Sequence, residues 1–404
     1  MKTNHQSSTI VIGAGLSGLA TARVLSERGV RVEVLEAAQN IAEPWRGRHP
    51  ALRLNIHRKF AALPGQKAPI TDGVYLKRDT VVQYLEDYAK HLNAPIHFGA
   101  EVTNLRRTAA GWQVTTPLRV FHAENVVVAT GRESRPYIPA WPGRDGFEGE
   151  LIHASALGDV SRFNGKHVFV VGAGNSGSDV LNHLSRHHPK EVTVSVRHGP
   201  AVVPQRIFGF PLHRLARVFA ALPAWVLDPA FRLTERLFLG DLRQYGLFSH
   251  PDGGGTRLLR DGVTFAIDDG FVAALKAGKS YIAPSVTKFD GARVYTADGM
   301  YETPDVVIAA TGYRSGLEPL VGDLGVLCEN GQPHHPMGEA DPENPGLWFT
   351  GYKPIFTGYF DAAGISAKQI ASSIVANAAA TGSSDVARAQ NTDQSTTLAD
   401  ANPH

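Results

Sequence analysis

The chain carries a single cysteine, Cys328, among its 404 residues. One thiol excludes an intramolecular disulfide framework, a CxxC redox pair and a thiolate zinc cluster, so dithiol chemistry is out of reach and no metal is expected. Long apolar runs are also missing. No stretch approaches the roughly 18 unbroken apolar residues of a membrane span. The opening segment Met1 to Ser8 is short and polar, without the apolar core of a signal peptide. A cytoplasmic protein with no transmembrane segment is the expectation. Charge of one sign is scarce as well: 40 Lys and Arg stand against 38 Asp and Glu. No basic block is long enough to track a phosphate backbone, which argues against nucleic acid as a partner. What remains, 43% hydrophobic and 19% charged residues, is ordinary globular material, long enough for two packed domains.

Glycine, by contrast, is present in a pattern. Gly13-Ala14-Gly15-Leu16-Ser17-Gly18 and Gly172-Ala173-Gly174-Asn175-Ser176-Gly177 each stand between an apolar strand and an amphipathic helix. Such glycines permit a tight turn and let backbone N–H groups approach a pyrophosphate at the positive end of a helix. Thr9 to Ile12, the helical pattern from Leu19 to Leu25 and the strand Val30 to Leu35 form the first βαβ unit, which ends on Glu36. An acid about 20 residues beyond the glycines suits ribose hydroxyls, so this unit is assigned to FAD. The second unit, Val168 to Val171, Ser176 to Leu184 and Val192 to Val196, ends on Arg197. A guanidinium there suits a 2′-phosphate, hence NADPH. Arg206 is the next candidate for that contact.

The fold class that follows is α/β, with two Rossmann-like dinucleotide-binding domains, the second inserted in the first. The strands Asn125 to Val128 and Val306 to Ala309 both run into Ala-Thr-Gly, at Thr130-Gly131 and Thr311-Gly312. Read as seams and cofactor-contacting turns, they give an FAD domain of 1–158 plus 303–375 and an NADPH domain of 159–302. A helix is expected with Asp79 as its N-cap. Residues 211–247 form a helical insertion rich in Leu, Phe, Val and Arg, which suits a packed hairpin, a lid or a membrane-surface element. Positions 381–404 are small and polar and are expected to form a mobile tail.

Between the two units, Phe147-Glu148-Gly149-Glu150-Leu151-Ile152-His153 resembles the FxGxxxH signature of class B flavin-dependent monooxygenases, although Leu157 stands where that family has an aromatic ring. His153 also reads as an interdomain hinge residue without chemistry. The resemblance runs from Ile10 to about Ala376 and is nearest the YUCCA-like branch of the flavin-containing monooxygenases. It is carried by Leu52-Arg53-Leu54, Phe60 to Pro64, Tyr84 to Ala89, Phe238 to Asp241, Lys276 to Lys279, Ala310 to Ser315 and Ala367 to Ala371.

The resemblance implies that NADPH reduces FAD, that O2 forms a C4a-(hydro)peroxyflavin, and that one oxygen atom reaches a small organic substrate. Trp45 and Arg46 stand where the family places a GxW-type motif against the flavin, with Ala42-Glu43-Pro44 replacing the usual glycines. Asn55 is implied as the residue protecting the oxygenated flavin; the heteroatom-oxidising branch has asparagine in this loop, and plant YUCCA-like members have histidine. Whole-chain resemblance favours oxidative decarboxylation of an aryl α-keto acid, whereas Asn55 favours N- or S-oxygenation. Baeyer-Villiger oxidation shares the same intermediate. A flavin reductase of the quinone or ferredoxin type is the competing class, and oligomeric state is left open.

Overall fold

The computed structural model describes residues 8–397, the side chains of 381–397 excepted. The N-terminal reading falls on Met1 to Ser7, outside the described residues. Among the described residues no helix is long and apolar enough to cross a membrane.

Two five-stranded parallel sheets are wound alike. In the first, the spatial order is Leu347–Phe349, Asn125–Val128, Ser8–Ile12, Arg31–Leu35, Ile96–His97. In the second it is Glu150–His153, Val306–Ala309, His167–Val171, Glu191–Ser195, Tyr281–Ala283. Parallel strands covered on both faces need unbroken apolar runs. Val126, Val127 and Val128 in one sheet, and Val306, Val307 and Ile308 in the other, accordingly have no exposed surface.

In the first unit α1 (Leu16–Glu27) follows the glycine turn. Leu19 and Leu25 share a core with Val34, Ala363 and Ile370, the last two from the C-terminal helix Tyr359–Thr397. A four-residue helix, α2 (Glu43–Arg46), and then α3 (Arg78–Lys90) complete this side. Lys77, not Asp79, is the N-cap of α3; Asp79 lies in the first turn, where its charge suits the helix dipole. The second unit has α4 (Asn175–Leu184) after its glycine turn. Its insertion folds into α5 (Ala216–Ala220) and α6 (Ala224–Phe238).

Two expectations are corrected. The seams expected near 158 and 303 shift, because Glu150–His153 and Val306–Ala309 hydrogen-bond into the second sheet. Each Ala-Thr-Gly turn ends a strand of its own sheet, and the passage from one domain to the other follows it. The chain crosses between the sheets as two strands side by side, Arg135–Pro136 antiparallel to Tyr313–Arg314. The expected tail also changes: the last helix, with alanine at 376, 378, 379 and 380 favouring it, runs on past Gly382 through 397. Positions 398–404 lie outside the described residues.

Candidate functional site

The two glycine turns have nearly the same geometry. Gly13 (φ +104°) and Gly172 (φ +98°) occupy backbone space that favours glycine. A Cβ on Gly13 would stand 2.7 Å from the Ala129 carbonyl oxygen, and one on Gly172 2.8 Å from that of Ala310. A Cβ on Gly18 would meet the Gly13 oxygen at 1.9 Å, and one on Gly177 the Gly172 oxygen at 2.0 Å. The middle glycines, Gly15 and Gly174, face open space, with no atom within 4 Å of such a Cβ. Both turns therefore leave a bare backbone cradle at a helix N-terminus, the shape a pyrophosphate requires. Asn175 and Ser176 are the first residues of α4 at the second cradle.

Beyond the cradles the units diverge. The Glu36 carboxylate accepts hydrogen bonds from Ala14 N (2.6 Å) and Ala38 N (2.9 Å), and each oxygen keeps a lone pair for a ribose hydroxyl. Arg197 is exposed and has no partner among the described residues, so its donors face water. Arg206 is already engaged, with its guanidinium 5.2 Å from the Tyr75 ring centroid.

Thr130 shares a 2.8 Å hydrogen bond with the buried Tyr352 hydroxyl, whose pKa burial raises. Thr311 donates to the Tyr137 carbonyl, while Gly131 (φ +86°) and Gly312 (φ +84°) turn the chain. The Gly312 carbonyl accepts from His153 Nε2 at 2.9 Å, and His153 Nδ1 accepts from Ser155 N at 3.1 Å. Burial holds His153 below the ordinary histidine range, and both its ring nitrogens are used. It is fixed where the chain turns between the two sheets. Arg48 joins this turn through Glu133 (2.7 Å) and the Tyr313 hydroxyl.

Trp45 packs part-buried on the first core, and Arg46 ties α2 to α3 through Glu86 and to the Ile41 carbonyl at 3.3 Å. Downstream, the loop through residue 60 runs along the second domain and touches it repeatedly. His49 Nε2 meets Asp179 Oδ2 at 2.9 Å. Burial works to raise the Asp179 carboxyl, but hydrogen bonds from His183 and His49 overcome it and hold the group at about 2. Asn55 Nδ2 donates to Asn175 Oδ1 at 2.9 Å, which ties the loop to the first residue of α4. Asn175 in turn donates to Thr264 Oγ1 at 3.3 Å.

His57 N donates to His213 Nδ1 at 3.1 Å, docking the insertion on the first domain. Burial pushes His213 down to about 4. His57 is lowered too, by burial and then by the field of Arg214, Arg58, Lys59 and Arg206. Around these histidines lies an aromatic cluster of Phe60, Phe219, Phe231, Phe265 and Phe356. The inner face of the insertion is therefore packed. Its outer face leaves Trp225, Leu233 and Leu237 exposed.

The sequence singled out Asn55 but not its partner contact, and it missed His49, Asp179, Arg48, Glu133 and Tyr352. Only the Arg48-His49 pair inside a Pro- and Gly-containing loop gave a local signal. The other partners lie too far apart along the chain for spacing to join them.

Comparison with known proteins places this geometry. The family described as pyridine nucleotide-disulphide oxidoreductase matches residues 10–206, although this chain has no second cysteine for disulphide work. Probable indole-3-pyruvate monooxygenase YUCCA3 of Arabidopsis thaliana is 31% identical over 375 residues, 88% of this chain and 85% of the relative. Indole-3-pyruvate monooxygenase YUCCA1 of Oryza sativa subsp. japonica is 35% identical over 324 residues, 79% of each chain. Among solved structures, a flavin-containing monooxygenase from Stenotrophomonas maltophilia is similar in fold (TM-score 0.68, 22% identity, 91% of this chain and 99% of that one). So is cyclohexanone monooxygenase in its open form (TM-score 0.68, 20% identity, 92% and 88%). FAD and NADPH are the cofactors that this kinship and the two cradles share. Near-full-length identity above 30% to named monooxygenases, on a fold with two dinucleotide cradles, makes this chain a member of the class B flavin-dependent monooxygenases, in their YUCCA-like branch.

Proposed function

We propose that the chain oxidatively decarboxylates an aryl α-keto acid. RCH2COCOO−, O2, NADPH and H+ become RCH2COO−, CO2, NADP+ and H2O, and the new carboxylate gains one oxygen atom from O2. Bound FAD, once reduced by NADPH, supplies the activation of O2. Gly13, Gly15, Gly18, Glu36, Trp45, Arg46, Thr130 and Gly131 would hold FAD. NADPH would be held by Gly172, Gly174, Asn175, Ser176, Gly177, Arg197, Thr311 and Gly312. The domain division, with the corrected seams, is the frame for both.

The observation that carries the substrate class is the field at the domain junction. Arg214, Arg58, Lys59 and Arg206 stand around His57, two residues from Asn55, with Lys59 Nζ 5.7 Å from the Phe60 ring of the aromatic cluster and Arg206 5.2 Å from the Tyr75 ring. A positive, aromatic seam attracts a carboxylate that bears a ring and repels a protonated amine. Asn55 keeps an amide hydrogen free of protein partners beyond its bond to Asn175, a donor for the oxygen-transfer step.

Incubation with NADPH, O2 and carboxyl-labelled indole-3-pyruvate tests the reading. Labelled CO2 with the shortened acid, above the rate given by free H2O2, is expected. The asparagine keeps a second reading alive, oxygenation of a neutral sulfide or an amine. Background CO2 together with an 18O-labelled sulfoxide or N-oxide would replace the keto acid by that reading.

A further inference from the structure

We infer that His49, Asp179 and His183 form a binding site for a divalent transition-metal cation of the zinc class, placed so that the ion staples the two nucleotide-binding domains. His49 comes from the loop of the first domain, whereas Asp179 and His183 lie one turn apart on α4 of the second. The Asp179 carboxylate faces both imidazoles, 2.9 Å from His49 Nε2 and 3.6 Å from His183 Nε2. The two rings meet edge to face with centroids 4.6 Å apart. All three ligand atoms lie within 4.8 Å of one another, the one such group of histidine, cysteine or acidic side chains found among the described residues.

Zinc takes imidazole nitrogen and carboxylate oxygen at about 2.0–2.2 Å, which sets neighbouring ligand atoms roughly 3.3–3.6 Å apart in a tetrahedron. Asp179 turns Oδ2 toward His49 Nε2 at 2.9 Å and Oδ1 toward His183 Nε2 at 3.6 Å, and with all three ligand atoms within 4.8 Å, side-chain rotation has to bring them onto one ion. The donor set selects the cation. Two nitrogens and one oxygen suit zinc, cobalt or nickel, and lack the oxygen shell that magnesium or calcium requires. The side chains are largely withdrawn from water, at 4%, 19% and 10% exposure for His49, Asp179 and His183. His49 Nδ1 is buried with no hydrogen-bond partner, so turning this ring to meet an ion breaks no bond except the one to Asp179. A metal held here ties a domain-bridging loop to the helix that carries the second glycine cradle.

The test uses the FAD-loaded full chain with any affinity tag removed, stripped with a chelator and exchanged into chelator-free buffer. Titration calorimetry with zinc sulfate is expected to show one equivalent per chain at micromolar Kd or tighter, with a rise in Tm. His49→Ala and His183→Gln should each weaken binding at least tenfold while flavin content stays the same. Cys328→Ser controls for the exposed Cys328–His334 pair, whose Sγ and Nδ1 lie 3.2 Å apart, and should change nothing. If His49→Ala loses flavin, X-ray absorption of the zinc-loaded wild type decides: a shell of nitrogen and oxygen with two imidazoles supports the site, and a sulfur neighbour overturns it. Absence of stoichiometric binding, binding that survives both histidine substitutions, or binding lost in Cys328→Ser would also overturn it.

Discussion

The two nucleotide units are near copies in backbone and opposites at one side chain. Their outer glycines are pressed against the same kinds of carbonyl at distances that agree within about 0.1 Å, and their middle glycines are equally open. At the end of the second strand, however, Glu36 is fixed by two backbone N–H groups, while Arg197 stands free in water. The copied part answers a demand common to every pyrophosphate. In the proposed assignment the divergent part answers what differs between the ligands: a neutral diol would be met by a preorganised acceptor, and a phosphate dianion by a cation that water leaves free.

The strongest way to break this comparison is to fill its glycines. Gly18→Val or Gly177→Val places a side chain on a carbonyl oxygen and should unfold the unit concerned, a loss of about 3 kcal/mol or more by denaturant titration. Gly15→Val and Gly174→Val should fold normally by circular dichroism, because both positions face open space. The first should yield colourless protein, and the second a yellow protein that NADPH no longer reduces. If Gly174→Val loses flavin instead, the two cradles have been assigned the wrong way round.

Arg197→Ala sharpens the contrast between the strand ends. One charge-assisted contact is worth about 1.5–3 kcal/mol, so the NADPH-over-NADH ratio of kcat/KM should fall on the order of 10- to 100-fold. An unchanged ratio moves the phosphate contact elsewhere, to Arg206 first. Asn55→Ala acts where the units meet. Loss of a neutral hydrogen bond of about 1 kcal/mol should raise H2O2 formed per NADPH about fivefold, with flavin reduction unchanged. A parallel drop in the reduction rate would make Asn55 a holder of Asn175 rather than a participant in oxygen transfer.

A pH-dependent contrast concerns the insertion, which only the second unit has. His213 accepts a hydrogen bond from His57 N in its neutral form, and burial holds it at about 4, against an unfolded value of about 6.5. Between those values the unfolded chain binds the proton and the folded chain does not. Stability is therefore intact above about pH 6.5 and falls as the pH drops toward 4, by on the order of 3 kcal/mol at the limit. Melting curves across this window should show a loss that His213→Gln reduces. Equal slopes for the two proteins would remove His213 from the acid response.

The periodicity and the glycines made both units readable, since parallel strands buried on two faces must be apolar throughout and a pyrophosphate cradle must be bare. The position of Glu36 at the end of its strand follows from the same local pattern, and its bonds to Ala14 N and Ala38 N are what the fold adds. The seams were not, because Ala129-Thr130-Gly131 and Ala310-Thr311-Gly312 are the same word in two sheets, and only strand pairing tells them apart. Nor did sequence show that Arg46 is committed to Glu86, or that Asn55 and His49 grip α4. Those partners are 120 and 130 residues away, brought near by the docking of one domain on another rather than by any repeat along the chain.

The paired crossing of Arg135–Pro136 and Tyr313–Arg314 limits how the halves can travel. A single tether would let the second unit swivel about its own axis, whereas two backbones bonded edge to edge form a ribbon that resists torsion and shear and yields chiefly by flexing across its flat face. Relative motion is thereby reduced toward one degree of freedom. The same ribbon fixes the orientation in which the second cradle stands to the first.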